Sequence, residues 1–173
     1  LVGDSWGGDV LRYGHAKNDK TCRAESTTTR HVPRSAADRR PVTVWNVSRR
    51  CNLRCVHCYT DSDNTVTKGE LTLDDGRKLL DDLAEFEVPA VLFSGGEPLV
   101  RKDIFELVDY AVAKGLRPTL STNGTLIDTK MAQRIKDSGF TYVGISLDGI
   151  GEVNDRFRGK KGAFKLAMRG FRN

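Results

Sequence analysis

From Val42 onward the apolar positions follow two alternating rhythms. Val42-Thr43-Val44-Trp45-Asn46-Val47 is dense in β-branched and aromatic residues, the composition of a strand. Thr72, with Asp75 three residues later, opens a capping-box-like start. Leu73, Leu79, Leu80, Leu83 and Phe86 then recur at helical spacing among charged residues. Ala90 to Phe93 predicts a short apolar strand, followed by a helix carrying Ile104, Leu107, Val108, Ala111 and Val112 and stopped at Gly115. Leu116 to Ser121 reads as a third strand. Asp128 caps a helix with Met131 and Ile135 on one face, Gly139 ends it, and Tyr142 to Leu147 supplies a fourth strand. Phe164, Met168 and Phe171 mark one more helix.

The equivalent strand positions Val91, Leu116 and Tyr142 lie 25 and 26 residues apart. Strands joined by helices at so regular an interval must run parallel, which makes the fold α/β. Right-handed crossovers allow an open doubly wound sheet or part of a barrel, and in either the functional groups sit where strands end. Four groups of unusual residues fall at that edge: Cys51, Cys55 and Cys58 after the first strand, Gly95-Gly96-Glu97-Pro98 after the second, Ser121-Thr122-Asn123-Gly124 after the third, and Ser146-Leu147-Asp148-Gly149 at the fourth. Residues 1–41 show no such rhythm. Their Gly, Ser, Thr and Arg content, with Glu25-Ser26-Thr27-Thr28-Thr29-Arg30, predicts an irregular leader before a domain at 42–173.

Composition narrows the classes. No apolar run approaches the ~18 residues of a membrane span, so no membrane is expected. The longest strongly apolar stretch, Val88 to Phe93, contains a proline. The net charge is +5, of which residues 1–41 supply +3, with both signs interspersed and no aromatic-rich pattern. That distribution argues against nucleic acid as the partner. Three of the four cysteines crowd into eight residues, the metal or redox pattern of a reducing, cytoplasmic compartment. Cys22, alone in a polar segment, is assigned no role.

Cys51-Asn52-Leu53-Arg54-Cys55-Val56-His57-Cys58 has C-x3-C-x2-C spacing, so one loop can wrap three thiolates around a metal centre. A structural zinc would want a fourth ligand, which His57 or Cys22 would have to supply. Ferredoxin spacings bring four cysteines to a complete cluster. Three thiolates on a four-iron cluster would leave one iron open. With Gly-Gly-Glu-Pro after the second strand and the β/α repeat, the cysteine loop resembles the radical S-adenosylmethionine (SAM) superfamily. The resemblance implies a partial (β/α) barrel with parallel strands and crossover helices, and a [4Fe-4S] cluster on Cys51, Cys55 and Cys58. It further implies SAM chelating the open iron, cleaved by an electron from the cluster to a 5′-deoxyadenosyl radical. It places Gly95, Gly96, Glu97 and Pro98 at the methionyl amino group, Ser146 and Asp148 at the ribose, Thr122 and Asn123 in the same cavity, and the backbone of Tyr59 near adenine. It names no catalytic residue.

The stretches Trp45 to Cys55, Leu120 to Ile127 and Tyr142 to Gly149 are similar to the haem-biosynthesis branch of AhbC- and NirJ-type enzymes, and Leu11-Arg12-Tyr13-Gly14 is similar to AhbC-type leaders. This implies a siroheme-derived tetrapyrrole substrate, with removal of acetate groups from didecarboxysiroheme. It also implies a low-potential donor such as ferredoxin or flavodoxin, and a second [4Fe-4S] cluster in a region beyond residue 173. Peptide-maturing relatives share much of the pattern. A non-enzymatic zinc-binding module is the rival class. The residues here amount to the N-terminal half of such a barrel, so a truncated enzyme is expected.

Overall fold

A computed structural model describes residues 40–66 and 68–173; residues 1–39 of the leader, with Leu11–Gly14 and Cys22, lie outside them. Val42–Asn173 forms one compact unit. Its order is β1 (Thr43–Ser48), α1 (Leu73–Glu85), β2 (Val91–Gly95), a 3-10 turn (Pro98–Val100), α2 (Ile104–Ala113), β3 (Pro118–Thr122), α3 (Thr129–Asp137), β4 (Tyr142–Ile145), α4 (Glu152–Arg158) and α5 (Ala163–Arg172).

The four strands lie side by side in chain order, and every neighbouring pair is parallel. Trp45 pairs with Phe93, Phe93 with Leu120 and Leu120 with Val143, so one row of large apolar side chains crosses the sheet. The core forms on that row. Leu80 of α1, Ile104, Leu107 and Val108 of α2, and Ile135 of α3 pack with it, and the Trp45 and Phe93 rings lie 5.7 Å apart. This is the expected α/β architecture of sequential, helix-linked parallel strands, a sheet not closed into a full barrel.

The caps follow the local chemistry. Thr72 Oγ1 accepts from Asp75 N and the Asp75 carboxylate accepts from Thr72 N, a complete capping box. Asp128 accepts from Met131 N at 2.8 Å. Two elements differ from the sequence reading. Helix α4 has no apolar stripe of its own and was not anticipated. In α5 the buried positions are Ala163, Ala167 and Gly170, while Phe171 is 71% exposed. The reason is contact distance: a Cβ on Gly170 would come within 2.3 Å of the Gly124 carbonyl oxygen. Small residues let the helix approach the β3 loop, and a phenylalanine has no room there.

No helix among the described residues is long and apolar enough to cross a membrane.

Candidate cofactor site

All four strands end at one edge, so their following loops meet. The first step is a register shift between Asn46 and Ser48, where β1 bulges against β2 and re-aims the chain into the cysteine loop. Ser48 Oγ and Arg49 N then donate to Glu70, and Arg101 donates to the carbonyls of Val47 (2.7 Å) and Leu71 (2.9 Å). These bonds fix both margins of the cysteine loop.

The second wall is the Gly95-Gly96 turn. Gly95 has φ +123°, a conformation that side chains resist, and its Cβ would meet the Ser48 carbonyl at 2.4 Å. A Cβ on Gly96 would meet the Arg50 carbonyl at 2.5 Å, and Gly96 N donates to Ser48 O at 2.8 Å. The glycines therefore let two backbones touch. Their first service is to the cysteine loop itself.

Glu97 sits behind that contact with no solvent exposure. Oε1 accepts from Thr122 Oγ1 (2.7 Å) and Leu99 N (3.1 Å), and Oε2 accepts from Asn123 N (2.8 Å). Burial pushes its pKa up, opposed by those hydrogen bonds and by the positive charge of Arg158. The side chain that the sequence offered to an ammonium group also ties the β2 loop to the β3 loop. Pro98 is buried as the first residue of the 3-10 turn and does not reach the cleft either.

The cleft has a volume of about 210 Å³ and is lined by Cys51, Cys55, Cys58 and Tyr59 from the first loop, Gly95 and Gly96 from the second, Thr122 and Asn123 from the third, and Ser146 from the fourth. Nine of the twelve anticipated residues thus converge. Asp148 is the third exception. Its carboxylate lies 2.6 Å from Arg158 Nε and 3.4 Å from His57 Nε2, and Asp148 N donates to the buried Asn154 side chain. Its carboxylate stands outside the cleft lining, paired with Arg158.

Arg158 was missed. It sits in α4, lines the cleft, and points Nη1 at Cys55 Sγ, 3.9 Å away. The glycines at 151 and 159 that bracket α4 were its one sequence signal, since Gly159 has φ +65°. Ser94 and Ser121 also line the cleft, one position beyond the buried Phe93 and Leu120.

Every thiol of the triad has a donor nearby. Cys51 Sγ accepts from Leu53 N (3.4 Å) and Asn123 Nδ2 (3.9 Å), and Cys58 Sγ from Ser62 N (3.3 Å), with Thr60 Oγ1 at 3.3 Å. Burial raises the Cys51 pKa and outweighs its hydrogen bonds. At Cys58 burial also raises, but the bonds from Thr60 and Ser62 win and hold the thiol below its ordinary value. Donors around sulfur favour the thiolate that a cluster needs. Among the described residues no three His, Cys, Asp or Glu are placed to hold a single metal ion. Zinc demands four ligands at ~2.0–2.3 Å, whereas a cluster spreads its cysteines over separate irons. The donor set fits the cluster.

The Radical SAM superfamily model matches residues 45–173. The chain belongs to this superfamily. Its cofactors are accordingly a [4Fe-4S] cluster on the C-x3-C-x2-C cysteines, and SAM. This radical SAM chain is 51% identical to the Fe-coproporphyrin III synthase of Methanosarcina barkeri, over 95% of its own length and 39% of that protein. It is 50% identical to the pre-heme d1 synthase of Dinoroseobacter shibae, over 78% of its length and 33% of that protein. The solved structure of native anSMEcpe with bound AdoMet superimposes with a TM-score of 0.61 at 25% identity, over 76% of this chain and 39% of that one. The chain therefore spans between a third and two fifths of the length of these three proteins.

Proposed function

We propose that this radical SAM enzyme modifies side chains of a siroheme-derived tetrapyrrole, removing acetate groups from didecarboxysiroheme. The observation that carries the cofactor half is the convergence of three donor-flanked sulfurs on a cleft floored by Gly95-Gly96. When bound, the cluster and SAM supply a 5′-deoxyadenosyl radical. The chain's residues hold and orient that pair. Cys51, Cys55 and Cys58 ligate three irons. The Gly95-Gly96 turn, which lines the cleft, would receive the methionyl ammonium, with Glu97 behind it fixing Thr122 and Asn123. Ser146 and Asn123, which line the same cleft, would face the nucleoside.

The substrate half is supported by 51% identity, extending over nearly the whole chain, to a protein named for making Fe-coproporphyrin III. That product is what deacetylation of didecarboxysiroheme leads toward. The test is anaerobic incubation of the full-length protein with didecarboxysiroheme, SAM and a reductant, followed by mass spectrometry. Loss of two acetate groups is the expected result; an unchanged tetrapyrrole alongside an oxidised or crosslinked peptide overturns the substrate. Replacing Cys51, Cys55 and Cys58 by Ala should remove about four irons per chain. A colourless protein holding one zinc would overturn the cofactor reading as well.

A further inference from the structure

Neither Asn52 nor Thr125 lines the cleft, yet the two close a ring of hydrogen bonds behind its wall. Asn52 Nδ2 donates to Thr125 Oγ1 (2.9 Å), Thr125 Oγ1 donates to Asn123 Oδ1 (2.7 Å), and Asn123 Nδ2 donates to Asn52 Oδ1 (2.9 Å). The direction of each bond is fixed. Thr125 N also meets Asn123 at 2.9 Å, and a backbone N–H can only donate, so the atom it meets must be the amide oxygen. The Asn123 nitrogen therefore faces the cysteine loop. Its two hydrogens serve Asn52 Oδ1 and Cys51 Sγ, the latter 3.9 Å away. Asn52 must then turn its own nitrogen to the Thr125 hydroxyl, and no group in the ring can flip without losing a bond.

Asn123 and Thr125 are buried and Asn52 is half-buried, so water competes little for these bonds. On its other side Asn123 N is held by the fully buried Glu97 carboxylate. The amide is thus pinned through its backbone, its oxygen and its nitrogen. An Asn-Gly turn closed by a single bond from the residue after it is common and asks nothing of a distant side chain. Such a turn accounts for Thr125 N. It does not account for a partner 73 residues away, nor for a nitrogen aimed at a buried sulfur.

We propose that Asn52 and Thr125 are positioning residues that hold the Asn123 amide against the Cys51 sulfur and thereby raise the reduction potential of the cluster. The inference rests on the cluster carried by the three cysteines and not on the tetrapyrrole. Reduction adds one negative charge, which the cluster shares with its thiolates. An N–H aimed at a ligand sulfur stabilises that added charge, so it favours the reduced form over the oxidised one. Leu53 N supplies Cys51 Sγ with a second donor at 3.4 Å, a backbone bond that side-chain replacement leaves in place. Breaking the ring should therefore shift the cluster and not shed it.

The experiment is an anaerobic dithionite titration of the reconstituted full-length protein, without SAM or substrate, with the reduced cluster read by electron paramagnetic resonance. Thr125→Val keeps the side chain's shape and removes its hydroxyl, Thr125→Ser keeps the hydroxyl, and Asn52→Leu removes the other partner. At a fixed solution potential, Thr125→Val and Asn52→Leu should each lower the ratio of reduced to oxidised cluster about threefold. Thr125→Ser should match wild type, and iron per chain should stay constant throughout. The double variant should shift about as far as either single one, because both act through one amide. Equal shifts in Thr125→Val and Thr125→Ser, or unchanged potentials in both Thr125→Val and Asn52→Leu, overturn the proposal. Iron lost in step with the melting temperature, at an unshifted potential, marks a merely structural ring and overturns it as well. A wild-type protein that takes up zinc and no iron overturns the cluster reading and this inference together. A tetrapyrrole left unmodified while the potential shifts as expected overturns the substrate reading alone.

Discussion

Trp45, Phe93 and Leu120 form one row of the sheet; Asn46, Ser94 and Ser121 are each the very next residue. The first row is buried under α1 and α2, with Phe93 and Leu120 fully enclosed. The second turns to the opposite face, where Ser94 and Ser121 line the cleft and Asn46 accepts a hydrogen bond from the Tyr59 hydroxyl at 3.1 Å. The period of two along a strand separates two chemistries at a distance of one residue. The apolar row holds by volume and exclusion of water. The site beyond it holds by backbone contact and by a single buried carboxylate.

That contrast is open to measurement. Phe93→Ala should cost about 3–5 kcal/mol of stability, the usual range for a fully buried aromatic. Iron per folded molecule should stay near wild type, as read by denaturant melts and iron assay. Glu97→Ala should cost about 3 kcal/mol, because Thr122 Oγ1, Asn123 N and Leu99 N are left as buried donors without an acceptor. In this case iron retention should fall with stability, since Asn123 donates both to Glu97 and toward Cys51. If Phe93→Ala sheds iron as readily as Glu97→Ala, the division between core and site is wrong.

Gly96→Ala sharpens the point. The added methyl must displace the Arg50 backbone, a clash worth about 1–3 kcal/mol. Its effect on iron content should exceed what that loss predicts, because the displaced segment is the cysteine loop. The smallest effect is at low pH. Asp155 accepts from Phe164 N and Gly162 N, and these bonds hold its carboxyl below the ordinary 3.8. A lowered folded pKa stabilises above the unfolded value and loses that contribution as pH falls through the folded one. Thermal melts below pH 4 should therefore show less acid sensitivity in Asp155→Asn than in wild type, with little difference in slope near neutrality.

Much of the fold was legible because its signals are local. Thr72 and Asp128 cap α1 and α3, and Gly115 and Gly139 follow the ends of α2 and α3 in left-handed conformations. The 25- and 26-residue rhythm required parallel neighbours, and three cysteines at this spacing marked a metal centre while leaving zinc open. The internal partners of Glu97 and Asp148 were not legible. A carboxylate beside a glycine pair reads as an acceptor for ligand, and only the positions of Thr122 and Asn123, some 25 residues away, turn it inward. Asp148 is likewise claimed by Arg158, which no motif marked.

By itself, the sequence determined the four strands and four of the five helices, their order and parallel direction, and which loops share an edge. These follow from side-chain period, caps and connection length, all set within a few residues. Tertiary structure alone decided which polar groups at that edge face the cleft and which are consumed in holding it together. A hydrogen bond has one donor and one acceptor wherever they lie in the chain. The assignment of Glu97 to Thr122, of Asp148 to Arg158, and of Asn52 to Thr125 therefore waits for the fold.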